Sequence, residues 1–341
     1  MKRRVTQTLW LVIGLVLLAV VVYLNDPADT WQAFLRALDH PWLLVGAMAL
    51  FMATQTGFYL KWHLISRLAG AEPDAQQSLR LFSTLFLVGT FTPGRAGELA
   101  VPLMMRGGAR LTGVALINRI LESSVTVLMG LVALIMAFSN ENENQARDVI
   151  ALGAFLGLFI AAMVVLSRRR LTERLLGVVR LFLRPLARLR PVGWLLAREQ
   201  QVEAHLGPFY EANERLLRVP TVLLFCAIML LIWLMMVAAN YMLILATVGD
   251  VVAVPHVLAA IAVSAVAMFL APVPGGVGVS EGAVALFLKR LNYTQNFLPF
   301  LLLSRIGLYI VVVIFYFVGI AAGRELPEPA VDHTTDAGVE R

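Results

Sequence analysis

Six ionisable side chains interrupt stretches of this sequence that are otherwise apolar: Arg95, Glu98, Arg119 and Glu122 in one region, Glu281 and Arg305 in another. Three are guanidinium groups and three are carboxylates, so their charges cancel. An unpaired charge in a low-dielectric medium is costly, and a balanced set is what pairing there would demand. Arg119 and Glu122 stand three apart, which puts them on one face of a helix. Arginine forks onto phosphate or carboxylate, while glutamate can balance that charge or carry a proton. Two chemistries follow, an ion-paired latch between segments and a site for an anionic group, and both can hold at once.

Each charged region carries a Pro-Gly interruption, Thr92-Pro-Gly-Arg-Ala-Gly-Glu98 in the first and Ala271-Pro-Val-Pro-Gly-Gly-Val-Gly-Val-Ser-Glu-Gly282 in the second. Pro93, Gly94 and Gly97, like Pro274, Gly275, Gly276 and Gly278, break a helix and permit positive φ, leaving backbone N–H groups to face an anion. The second string also spells G-x-S-x-G at Gly278, Ser280 and Gly282. A hydrolase nucleophile in that pattern needs a preceding strand and a histidine base. The flanks here are apolar and helical, with only His256 and the distant His205 at hand, so no catalytic residue is assigned. The five histidines form no H-x-x-x-H pair and Cys226 is the single cysteine. No metal site, disulfide framework or cofactor is expected.

The elements that must position these groups follow from composition. The chain has 341 residues, 59% hydrophobic and 15% charged, against about 25% charged in a soluble domain. Uncharged runs at 9–24, 42–60, 149–166, 221–248 and 298–320 approach or exceed the roughly 20 residues that cross a bilayer. With 111–138, which carries Arg119 and Glu122, they make six crossings of an all-α polytopic membrane protein. The stretch at 9–24 follows Lys2, Arg3 and Arg4 with no small-residue cleavage site, so it reads as an uncleaved anchor. Basic loops belong in the cytoplasm, which places both termini inside, in a cell inner membrane. Lys289 and Arg290 are the exception to that rule.

Two apolar stretches are too short to cross. Residues 79–91 stop at the first break and resume for 99–105; residues 257–270 stop at the second and resume for 283–288. Arms of about 20 Å and 10 Å fall short of a roughly 30 Å core, so both units read as re-entrant hairpins. Each runs helix, Pro-Gly break, glutamate, short helix, then a long helix with an arginine near its start, and they enter from opposite sides. That is an inverted repeat with broken helices, a layout in which the site lies where the breaks meet.

Between residues 167 and 219 eleven arginines stand against five glutamates, a surplus equal to the chain's net charge of +6. Leucines and valines interleave with them, as in an amphipathic segment lying on anionic headgroups. That localisation accounts for the pI near 9.8 without any nucleic acid. Residues 1–322 read as one membrane domain and 323–341 as a disordered cytoplasmic tail.

The motifs Pro93-Gly-Arg-x-Gly-Glu98, Arg119-x-x-Glu122, Pro272-x-Pro-Gly-Gly-x-Gly-x-x-Glu281 and Arg305, in this order, resemble the lysylphosphatidylglycerol synthetase transmembrane family, the flippase-like domain. The resemblance spans roughly residues 8–322. It implies translocation of a lipid between leaflets, with a phospholipid or a hopanoid- or polyprenyl-type lipid as the partner. Family members often carry Glu-Arg-x-x-Asp where this chain has Asn118, Arg119 and Glu122. Full-length lysyl-lipid synthetases add a soluble aminoacyltransferase domain, whereas here only the polar residues 323–341 follow, so that synthesis is not expected.

Together these readings give a flippase-like transporter for an anionic or modified lipid, with Arg95, Glu98, Arg119, Glu122, Glu281 and Arg305 as headgroup residues. The alternatives are an intramembrane lipid-modifying enzyme and a non-transporting accessory subunit of a cell-envelope lipid pathway.

Overall fold

A computed structural model of the chain describes residues 27–70, 74–90, 108–138, 218–249, 251–271, 273–293 and 295–321, with the isolated positions 16, 19, 20, 23, 92, 98, 211 and 214–216. Among them every regular element is a helix: α1 (Pro27–Leu38), α2 (Pro41–Leu68), α3 (Ala75–Thr90), α4 (Gly108–Phe138), α5 (Val219–Thr247), α6 (Val254–Leu270), a 3-10 turn (Pro274–Gly276), α7 (Val279–Arg290) and α8 (Leu298–Ala321). The crossing expected at 149–166, the second arm of the first hairpin at 99–105 and the tail at 323–341 lie outside the described residues. So does most of the run at 9–24 and of the basic linker at 167–219.

Among the described residues four helices are long and apolar enough to cross a membrane: α2, the Gly113–Val132 stretch of α4, α5 and α8. These match four of the six expected crossings. Proline in the first turn starts α2, α5 and α6, where its missing N–H costs no helical bond. Lipid-facing residues such as Leu223, Leu231 and Leu234 of α5 stay exposed, which is the normal condition of a spanning helix. At 17 and 12 residues, α6 and α7 reach only about 26 Å and 18 Å.

Two features depart from the sequence reading. Between the runs at 9–24 and 42–60, where no element was expected, lies α1, with Thr30, Ala33 and Ala37 buried and Trp31, Leu35 and Leu38 exposed. Asp29 in its first turn and Arg36 in its last complement the helix dipole. The second correction matters more. The α2 helix does not end at residue 60 but runs to Leu68, and it carries Lys61 inside the protein at 1% exposure. The charges buried within apolar helices therefore are not confined to the two regions singled out from sequence.

Helix pairing is reciprocal. The arm α3 lies antiparallel along α8, with Gly319 against Arg80 at one level and Phe82 and Phe315 rings 6.5 Å apart at the next. The arm α6 packs on α4, where Gly130 faces Ala262. Each first arm thus lies on the long helix of the other unit. The helices preceding the arms, α2 and α5, pack on each other antiparallel through Gly46 against Met242 and Gly57 against Ile232. Small residues at these contacts let the backbones approach, which is how helices associate where lipid removes the hydrophobic drive.

Candidate functional site

The second break explains itself from sequence. Ala271 precedes Pro272 and is extended (ψ 128°), so α6 stops there. Gly275, Gly276 and Gly278 then take φ of 63°, 65° and 80°, a region closed to most side chains. A Cβ on Gly276 would stand 2.7 Å from Met268 Cα, so the turn lies directly on the last turns of α6. Glu281 begins α7 by accepting the Gly278 N–H at 2.8 Å through Oε2, satisfying one of the orphan donors of a helix start.

Arg305 of α8 closes over this turn. Its Nε donates to Glu281 Oε1 at 2.7 Å, Nη1 donates to the Gly275 carbonyl and Nη2 to Ser280 Oγ. The Ser280 hydroxyl lies 2.9 Å from Glu281 Oε2 and 3.1 Å from the Gly276 carbonyl. Every guanidinium nitrogen and both carboxylate oxygens are engaged, and Glu281 is buried. The serine of the G-x-S-x-G string is a bridge in this clasp. Gly275 also abuts the other unit: a Cβ there would sit 3.1 Å from the carbonyl of Thr90, the last residue of α3.

Beside the clasp, with Met268 in the common wall, lies a cavity of about 240 Å³. Aromatic side chains, among them Phe51, Phe58, Phe86 and Trp233, form much of its wall. Glu98, Asn118, Arg119 and Glu122 supply its charge and polarity. Glu98 rests on Gly89, where a Cβ would fall 2.7 Å from its Oε1. Arg119 Nη1 stands 4.0 Å from Glu98 Oε2 and 3.9 Å from Glu122 Oε2, outside direct hydrogen-bond range for either pair. Glu122 Oε1 is held by Lys61 Nζ and by Asn118 Nδ2 at 3.0 Å.

Four buried polar atoms of cavity-lining residues have no hydrogen-bond partner among the described residues: Thr54 Oγ1, Gln55 Oε1, Trp62 Nε1 and Asn118 Oδ1. Each such group costs about 1–3 kcal/mol if left dry. A pocket that gathers them beside a guanidinium is shaped for polar contents. Among the described residues no group of three or more His, Cys, Asp and Glu side chains is placed to hold a metal ion.

The structure therefore sorts the six sequence-derived residues. Glu98, Arg119 and Glu122 come together at the cavity, and Glu281 and Arg305 form the adjoining clasp. Arg95 and the tip residues Pro93, Gly94 and Gly97 lie outside the described residues, while Gly275, Gly276 and Gly278 shape the second turn. Sequence reasoning missed Lys61, Thr54 and Gln55. The signal was there: Thr54, Phe58, Lys61, Trp62 and Ile65 recur at helical spacing, a polar-marked face continuing past the apolar run.

A family model described as Lysylphosphatidylglycerol synthase TM region matches residues 8–315 of the chain. No curated protein and no solved structure matches it.

Proposed function

The chain belongs to the lysylphosphatidylglycerol synthase TM-region family, and from that membership we propose that it is a flippase-like transporter carrying an anionic or modified lipid between leaflets of the inner membrane. The observation that carries this reading is the cavity beside the second helix break, where Arg119 stands between Glu98 and Glu122 amid buried polar atoms that have no partner among the described residues. Its volume of about 240 Å³ is below the roughly 300–1,000 Å³ of pockets for drug-sized ligands. That is headgroup scale, with the acyl chains left to the surrounding lipid.

In this reading the headgroup phosphate meets Arg119, and Arg95 is expected nearby. Glu98 and Glu122 balance the guanidinium or exchange a proton as the headgroup passes. Glu281 and Arg305 hold the second tip in place, so the broken backbone keeps its shape at membrane depth. The protein moves its ligand without making or breaking a covalent bond. Both termini lie in the cytoplasm, and six crossings with two re-entrant hairpins form an inverted repeat. What supports the repeat is the exchange of arms, α3 on α8 and α6 on α4, about the antiparallel α2–α5 pair.

The test is lipid transfer by the purified chain in liposomes containing fluorescent phosphatidylglycerol. Arg119→Ala should slow transfer at least about tenfold, corresponding to roughly 1.4 kcal/mol of lost interaction, with little change in melting temperature. Transfer by that variant at the wild-type rate would place the headgroup site elsewhere.

A further inference from the structure

A hydroxyl on an apolar helix can satisfy itself by donating back to a carbonyl of the preceding turn. Thr56, Thr84, Thr90 and Thr247 all do so, at 2.8–2.9 Å. Thr54 does not: its Oγ1 is buried in a residue that lines the cavity and has no partner among the described residues. Its neighbour Gln55, 2% exposed, likewise leaves Oε1 unpartnered at the cavity wall. Asn240 of α5, another buried amide of that wall, provides the contrast. Its Nδ2 donates to the Met236 carbonyl at 2.8 Å and its Oδ1 accepts from Ser304 Oγ at 2.9 Å.

Thr54 and Gln55 stand apart from the cavity's charge. Among the described residues the lining is charged only at Glu98, Arg119 and Glu122, which lie together. Lys61 holds Glu122 and so marks the level of that charged end on α2. Gln55 and Thr54 precede Lys61 by six and seven residues, about 9–10 Å along the helix. An amide offers both a donor and an acceptor, and a threonine hydroxyl can act as either. A hydroxyl on the ligand answers both groups, whereas an ammonium only donates and would bring an unbalanced charge to this end. We propose that Thr54 and Gln55 read an uncharged, hydroxyl-bearing part of the ligand, and so select polyol phosphodiesters over those capped by an alkyl group. This rests on the headgroup reading of the cavity and adds to it the class of headgroup, however the charges at the other end are paired.

The experiment reconstitutes the full-length chain in liposomes that hold one of two acyl-labelled fluorescent lipids, phosphatidylglycerol or phosphatidylpropanol. Both carry a single phosphodiester charge and a three-carbon head, and only the first has hydroxyls. Wild type should transfer phosphatidylglycerol at least about tenfold faster, because a site built to hydrogen-bond a hydroxyl rejects the analogue that lacks it. Thr54→Val and Gln55→Leu should each bring that ratio down to about threefold or less. Thr54→Ser, which keeps the hydroxyl, should retain it. A merely structural defect slows both lipids alike and leaves the ratio where it was.

Equal transfer of the two lipids by wild type overturns the inference and leaves the transport reading standing. Transfer of neither lipid overturns the transport reading itself, and the inference falls with it. A wild-type preference that survives both Thr54→Val and Gln55→Leu also overturns the inference, because the hydroxyls are then read elsewhere. Should Gln55→Leu fail to fold, the two Thr54 variants decide alone. Loss of the ratio in Thr54→Val with its retention in Thr54→Ser sustains the inference, and the same ratio in both overturns it.

Discussion

Arg305 and Arg119 both pair with glutamates, Arg305 at 2.7 Å from Glu281 and Arg119 at 3.9 Å from Glu122 and 4.0 Å from Glu98. Arg305 meets a preformed acceptor set, the Gly275 carbonyl, Ser280 and Glu281, created by the positive-φ turn. Arg119 lies between two carboxylates, each restrained elsewhere: Glu98 by its seat on Gly89 and Glu122 by Lys61 and Asn118. The cost of breaking the two groups should differ accordingly. Arg305→Ala strands a buried carboxylate and should destabilise the protein by about 3–5 kcal/mol, as removing one partner of a buried pair does. Denaturant unfolding in detergent reads this directly, and the double variant Arg305→Met/Glu281→Gln should recover much of the loss. An Arg305→Ala protein as stable as wild type would show that the clasp holds nothing.

The broken unit α6–turn–α7 shows how far local chemistry specifies an element. Its stop, turn and restart follow from Pro272, the glycines and Glu281, and were legible as a Pro-Gly break with a carboxylate after it. The packing of the turn was not. Gly249 and Gly276 both have positive φ, but a Cβ on Gly249 meets nothing within 4 Å while one on Gly276 meets backbone. Gly249→Ala should therefore cost about 1–2 kcal/mol, the left-handed penalty alone. Gly276→Ala adds overpacking of about 1–3 kcal/mol to that penalty, since Met268 Cα cannot rotate away. Paired thermal melts check the order; equal losses would mean that the turn is not seated on α6. The last turn of α7 also accounts for Lys289 and Arg290, the charge-rule exception: cations are favoured at the negative end of a helix.

At the scale of the molecule, the proposed topology makes a labelling prediction. Cys226 is the only cysteine, so replacing it by serine gives a clean background for single reporters. Cysteines at Gly249 and Lys289 should react with an impermeant maleimide from the outer side of intact cells, and one at Gly70 only after permeabilisation. Labelling of Gly70 from outside would invert the assignment, and labelling of Lys289 only after permeabilisation would remove the second hairpin.

Composition, run length and the second Pro-Gly break determined by themselves that the chain is helical, built for a membrane and interrupted before Glu281, because each depends on residues close in sequence. The family resemblance rested on the same local motifs. Which charges meet was decided by tertiary structure alone. Lys61 and Glu122 are 61 residues apart, so the helical spacing of Thr54, Phe58 and Lys61 could mark a face of α2 but not the partner that the face would meet. Only the packing of α2 against α4 and α5 takes Lys61 out of solvent, and once it is there the low dielectric compels it to find Glu122.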